Sequence, residues 1–179
     1  LATNVEKRMN EFESLVKRTH KAGLKMIIDF VPNHVARQYK STAKPKGIAD
    51  FGENDNTGMQ FSPQNNFYYC PEQSFAADID LYHGEELPYE EFPAKATGND
   101  CFGNRPGRND WYETVKLNYG VDYCDAGGVS THFSPTPDTW KKMLDILLFW
   151  AGKGVDAFRC DMAEMVPSAF WQWVTTEVR

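Results

Sequence analysis

Apolar residues along the chain fall into two patterns. Three stretches repeat at helical spacing, two short runs are apolar almost throughout, and the long middle shows neither. In the first stretch Val5, Met9, Phe12, Val16 and Thr19 share one helical face with Leu15 beside them, which predicts an amphipathic helix. Thr3 with Glu6 three residues on has the form of a capping box, and Gly23 is placed to end the helix. The run Leu24-Lys25-Met26-Ile27-Ile28-Asp29-Phe30-Val31, stopped by Pro32, predicts a strand buried on both faces, as in parallel sheets.

From Val35 to about Pro135 the periodicity dissolves into Gly-, Pro-, Asn- and Asp-rich segments broken by aromatic patches such as Phe67-Tyr68-Tyr69 and Trp111-Tyr112. A loop of that length without structure is foreign to a compact domain, so an inserted, irregular subdomain with short strands is expected. Thr136 as N-cap and Pro137 at the first helical position then open a second helix. Its stripe is Trp140, Met143, Leu144, Leu147, Leu148 and Ala151, and Gly152 and Gly154 end it. Val155 to Asp161 reads as a second short strand, and a third helix starts near Pro167 with Phe170, Trp171, Val174 and Val178.

The order helix, strand, insertion, helix, strand, helix is that of a parallel α/β sheet. A complete (β/α)8 barrel takes about 250 residues. The pattern therefore predicts an α/β fold with an inserted irregular α+β region; if it is a barrel, its two barrel-type strands make it a partial (β/α)8 barrel with most of the strands missing. The expected division is 1–34, 35–135 and 136–179.

Composition narrows the function classes. Hydrophobic residues make up 41% and charged residues 25%, which argues against disorder. A net charge of -6 with no Lys/Arg cluster disfavours nucleic acid as a partner. No apolar run approaches the ~20 residues of a membrane helix, so no membrane role is expected. Residues 1–4 show neither the basic nor the apolar part of a secretory leader. Cys70, Cys101, Cys124 and Cys160 match no zinc spacing. Cys160 is expected buried in its strand, and a Cys70–Cys101 or Cys101–Cys124 disulfide is a minority expectation.

Candidate chemistry gathers at the two strand ends. In the second strand Val155, Ala157, Arg159 and Asp161 share one face and Phe158 and Cys160 the other. A charged pair two residues apart, at the carboxyl end of a parallel strand, sits where α/β folds place active sites. Arg159 can hold Asp161 ionised, as a carboxylate nucleophile requires. Residue types alone leave a structural ion pair equally open. At the first strand end His34 can donate to a substrate hydroxyl and Asn33 can offer its carbonyl oxygen to Ca2+. Taken alone, His34 reads better as a loop histidine.

Taken together, Asp29-Phe30-Val31-Pro32-Asn33-His34 and Gly154-Val155-Asp156-Ala157-Phe158-Arg159-Cys160-Asp161 resemble the first and second conserved regions of the α-amylase superfamily, glycoside hydrolase family 13. The insertion is similar to that family's domain B, which protrudes between barrel strands 3 and 4, and Val115-Lys116-Leu117-Asn118 is similar to the Leu-Asn end of a further motif there. The resemblance covers the whole chain. It implies Asp161 as the nucleophile, Arg159 as the group that orients it and keeps it charged, and His34 as a sugar contact in the cleavage subsite. It further implies Asp29 as a polar residue of the barrel mouth near the substrate and Asn33 as a calcium ligand. The substrate implied is an α-glucan or oligosaccharide of the starch type.

Two departures qualify the resemblance. Met162-Ala163-Glu164-Met165 stands where many α-amylases follow the nucleophile with Lys-His, which touches both substrate identity and calcium. The family's general acid and its later His-Asp pair have no counterpart here. The chain alone is therefore expected to be inactive, and its open faces to favour self-association. Transglycosylation within the family is a neighbouring expectation. A non-catalytic carbohydrate-binding or interaction module and a flavodoxin-like α/β domain are the more distant ones. His20, His83 and His132 read as surface or loop histidines, and Gly84-Glu85-Glu86-Leu87-Pro88-Tyr89-Glu90-Glu91 as a solvated acidic loop. The aromatic patches fit sugar stacking and packing about equally.

Overall fold

A computed structural model describes residues 5–41, 44, 46–77 and 89–178. Thr3 of the expected capping box, His83 and residues 84–88 of the acidic run lie outside them. A 3-10 turn at Val5–Lys7 leads into α1 (Arg8–Lys21), whose inward face buries Val16. The helix closes as expected on Gly23 at φ +76°, with Gly23 N–H donating to His20 O at 2.9 Å and Leu24 N–H to Thr19 O at 3.1 Å. This is the Schellman arrangement, which satisfies the last carbonyls of the helix.

Strand β1 (Ile27–Phe30) pairs in parallel with β8 (Ala157–Cys160), placing Asp29 opposite Arg159 and Phe30 opposite Cys160. The expectation of burial on both faces is corrected. Phe30 is buried, but Ile27 is 59% exposed and Leu24 and Val31 are exposed as well. The physical reason is that this sheet has two strands among the described residues, so only the face toward the helices is covered. Cys160 is likewise half-buried rather than buried, packed at the edge of the core.

Helix α2 (Asp138–Gly152) covers that inner face with Trp140, Met143 and Leu147. It begins after Pro137, so Thr136 does not cap it, and Leu148 of the expected stripe is exposed. After β8 a 3-10 turn at Ala163–Met165 leads into α3 (Ser168–Val178), which buries Phe170 and Val174. Trp140 is the meeting point. Its ring lies 5.6 Å from Phe170 and 5.5 Å from Trp173, and its indole N–H donates to Tyr119 O at 3.1 Å.

Tyr119 belongs to the long middle segment, which is irregular with short strands as its composition predicts. Strand β2 (His34–Ala36) pairs antiparallel with β5 (Thr114–Lys116), β3 (Tyr69–Cys70) with β4 (Ala94–Lys95), and β6 (Val121–Asp122) with β7 (Ser130–Thr131). Phe67, Tyr68 and Tyr69 are buried, so this patch packs rather than presents a sugar platform. Asp55 fastens it by accepting from the N–H groups of Asn66 and Phe67 and from the Tyr69 hydroxyl.

The acidic run is also corrected where it is described. Glu91 is not solvated. It accepts from Arg37 at 2.7 Å, with both side chains only 4% exposed, and from Lys95 and the Tyr89 hydroxyl. The Arg37 guanidinium donates in addition to the carbonyls of Tyr112, Lys95 and Thr114, and it lies over the Phe75 ring. One buried cation thus ties four segments of the insertion together. All four cysteines are free thiols, so neither expected disulfide is present.

Candidate active site

Strand pairing builds the site. Because β1 and β8 run in parallel and in register, their carboxyl ends emerge side by side. The Asp161 N–H donates to Phe30 O at 2.9 Å, so the ladder continues one residue past β8 and fixes the Asp161 backbone. The following residue, Met162, turns away in the left-handed region at φ +50°.

The Arg159 side chain lies on the open face between two carboxylates. Its Nη1 is 2.7 Å from Asp161 Oδ1 and 2.9 Å from Asp29 Oδ1. Both pairings raise the affinity of the guanidinium for its proton, the hydrogen bond with Asp29 being the largest cause. Asp29, Arg159 and Asp161 therefore form one group rather than isolated charges. Glu164 is exposed on the turn that follows.

His34 enters from the start of β2, four residues after β1 ends. Its ring is half-buried, and burial lowers its pKa below the usual 6.5. The negative charge of Asp161 acts in the opposite direction and the positive charge of Lys116 in the same one, so both charges are within electrostatic reach of the imidazole. The net result favours a neutral ring that can donate one hydrogen bond and accept another. The Trp111 ring meets it edge to face at 5.4 Å.

Asn33 is 1% exposed, and both ends of its amide are engaged by protein. Nδ2 donates to Gly98 O at 2.7 Å. The side-chain carbonyl expected to face calcium instead accepts from the Lys116 ammonium at 3.3 Å. That ammonium, with a side chain 3% exposed, also pairs with Asp100. Calcium requires six to eight oxygen ligands. Here a fixed positive charge already takes the oxygen, and no group of three or more His, Cys, Asp or Glu is arranged to hold a metal among the described residues. The residues present do not fit a calcium ion at Asn33.

The insertion is locked onto the segment after β1 through the backbone carbonyls of that segment. Leu117 N–H donates to Asn33 O at 2.9 Å and the Tyr119 hydroxyl to Pro32 O at 2.7 Å. Gly98 permits the closest approach: a Cβ there would sit 2.7 Å from Thr114 Oγ1 and 2.9 Å from His34 Cβ. Of the expected residues, Asp29, Arg159 and Asp161 are in direct contact, and His34 lies within their field. His20 is elsewhere, 2.7 Å from Asp156 before β8, and His132 lies in the insertion beside Ser130. Lys116, Asp100 and Gly98 were not legible as site residues, although the short motif around Lys116 carried a signal, and Trp111 was legible only as one of the aromatic patches open to sugar stacking or to packing.

A stretch of 101 residues is 40% identical to an alpha-1,4-glucan:maltose-1-phosphate maltosyltransferase of Cereibacter sphaeroides, covering 54% of this chain and 17% of that protein. The amino acid transporter heavy chain SLC3A1 of Homo sapiens is 24% identical over 168 residues, 90% of this chain and 19% of that protein. The solved cyclic alpha-maltosyl-(1→6)-maltose hydrolase of Arthrobacter globiformis shares the fold with a TM-score of 0.51 at 18% identity, covering 95% of this chain and 28% of that one. The chain thus spans less than a third of each of these proteins, and the part of the barrel it contains is correspondingly small. Residues 7–177 match the family model described as alpha amylase, catalytic domain, and the chain belongs to the α-amylase family.

Proposed function

We propose that this chain is the nucleophile-bearing part of a retaining enzyme acting on α-glucosidic bonds in starch-type maltooligosaccharides. One observation carries this: the Asp161 carboxylate, at the carboxyl end of a parallel strand, is paired at 2.7 Å with Arg159, which Asp29 holds from the other side. In double displacement the Asp161 carboxylate attacks the anomeric carbon and the leaving oxygen takes a proton from a general acid. Water or a sugar hydroxyl then attacks the glycosyl-enzyme, which gives hydrolysis or transglycosylation. Arg159 holds the carboxylate in its aim, and His34, as a neutral ring, hydrogen-bonds a hydroxyl of the reacting sugar.

The second carboxyl group must stand about 5–5.5 Å from the nucleophile. Asp29 is committed to Arg159, so the general acid comes from another part of the complete protein and this chain alone does not turn over substrate. Residues 1–34 and 136–179 then serve as the segments around barrel strands 3 and 4, with 35–135 as the inserted domain. The open sheet face around Ile27 favours self-association of the isolated chain, which light scattering measures.

The test is Asp161→Asn in the complete protein, together with trapping by a fluorinated glycosyl fluoride. Turnover drops about a thousandfold or more, and mass spectrometry finds the trapped sugar on the Asp161 peptide. Trapping at a different carboxylate, or undiminished turnover, refutes the assignment. A non-catalytic interaction module is the second reading, favoured by the match to a transporter heavy chain over 90% of this chain. It requires that no maltooligosaccharide be turned over by the complete protein at all.

A further inference from the structure

We propose that Trp111 is a sugar-stacking wall of the cleft, taking the apolar face of a pyranose ring next to His34 and thereby setting preference for substrate length. This rests on the assignment of Asp161 above, and the experiment separates the two. Trp111 sits where chemistry and exposure coincide. Its ring meets His34 at 5.4 Å, and His34 lies in the field of Asp161. Yet the indole is only half-buried and is not among the residues that pack the hydrophobic core. A large aromatic beside a charged site, with part of its surface left open, has apolar area available for a ligand.

The loop that presents Trp111 is stiff. Its N–H donates to Asn99 Oδ1 at 3.0 Å, and its carbonyl accepts from both the N–H and the hydroxyl of Thr114 at 2.8 and 2.7 Å. Asn99 is held in turn by Thr97 and Asp110. The loop is also fastened to the site itself, because Asn33 donates to Gly98 O and Thr114 Oγ1 accepts from the Gly98 N–H. The backbone that carries the ring is therefore set before any ligand arrives, which spares the ordering cost that a mobile loop would incur on binding. A pyranose carries hydroxyls around its rim and C–H groups on its faces. A ring face matches those C–H groups while His34 addresses a hydroxyl at the rim.

The experiment uses the complete protein with Asp161→Asn as background, so that binding is read without turnover. Maltotriose binding is measured by calorimetry for this background and with Trp111→Phe or Trp111→Leu added. Stacking predicts that Phe, which keeps a ring face, stays within about threefold, whereas Leu, which keeps apolar volume without a face, weakens binding about tenfold. In the active protein Trp111→Leu raises KM for maltose and maltotriose more than for longer chains, while kcat moves little. Unchanged binding in Trp111→Leu overturns the proposal. So does equal weakening in both variants, which points to support of His34 rather than to a face for sugar. Should Asp161→Asn keep full turnover, a KM raised by Trp111→Leu more for maltose and maltotriose than for longer chains upholds the wall and removes only the assignment of the nucleophile.

Discussion

The ammonium of Lys116 lies 3.3 Å from the side-chain carbonyl of Asn33 and pairs with Asp100 on its other side. Lys116 belongs to β5 of the insertion and Asn33 to the short link between β1 and β2, so a single buried charge joins the two. A bound cation could serve the same joining role only by displacing the ammonium. The fold is therefore expected to stand without metal. Exhaustive treatment with a chelator leaves the thermal midpoint unchanged, and Lys116→Met lowers unfolding free energy by about 2–3 kcal/mol because Asn33 Oδ1 loses its partner in a buried place. A midpoint that drops on chelation and recovers with calcium contradicts this.

His34 makes stability depend on pH in a defined direction. Burial lowers its pKa in the folded chain below the usual 6.5. Between the lowered value and 6.5 the unfolded chain binds a proton that the folded chain does not. Stability therefore rises with pH in that window and is lost as pH falls below about 6.5. Urea titrations between pH 5 and 7 are expected to show this slope, and His34→Gln to flatten it. A slope of equal size in the variant assigns the effect elsewhere.

The Arg37–Glu91 pair is the strongest candidate for a large single-residue stability loss. Both side chains are 4% exposed, and the guanidinium is hydrogen-bonded on all sides. Glu91→Gln leaves a buried cation without its counter-charge, which is expected to cost about 3–5 kcal/mol in urea unfolding. The exposed Lys44–Glu53 pair provides the contrast, and Glu53→Gln is expected to leave the midpoint in place.

Asp29 acts through Arg159. Its carboxylate anchors the guanidinium that also holds Asp161, and it is well exposed. Asp29→Ala frees that guanidinium to rotate. The expected result is a kcat about tenfold lower with KM and thermal midpoint little changed, since only the aim of the nucleophile is lost. A raised KM at constant kcat indicates direct substrate contact instead.

Several elements were legible because they depend on short-range pattern. Gly23 ends α1 and Pro167 precedes α3, for reasons local to the backbone. Alternation along β8 places Arg159 and Asp161 on one face and Phe158 and Cys160 on the other, whatever surrounds the strand. The exposure of Ile27 was not legible, because an apolar run reports the environment it can tolerate rather than the neighbours it meets. Thr136 failed as a cap because Pro137 itself takes that place and α2 starts after it.

By itself the sequence determined the helices, the two parallel strands and the face on which the acidic nucleophile candidate lies, since each follows from residues within a few positions of one another. Tertiary structure decided what those residues meet. It set Asp29 across from Arg159, brought Lys116 from 83 positions away onto Asn33, and laid Trp111 against His34. Such contacts depend on the path of a long insertion and on the register between strands far apart in the chain, which local spacing does not encode.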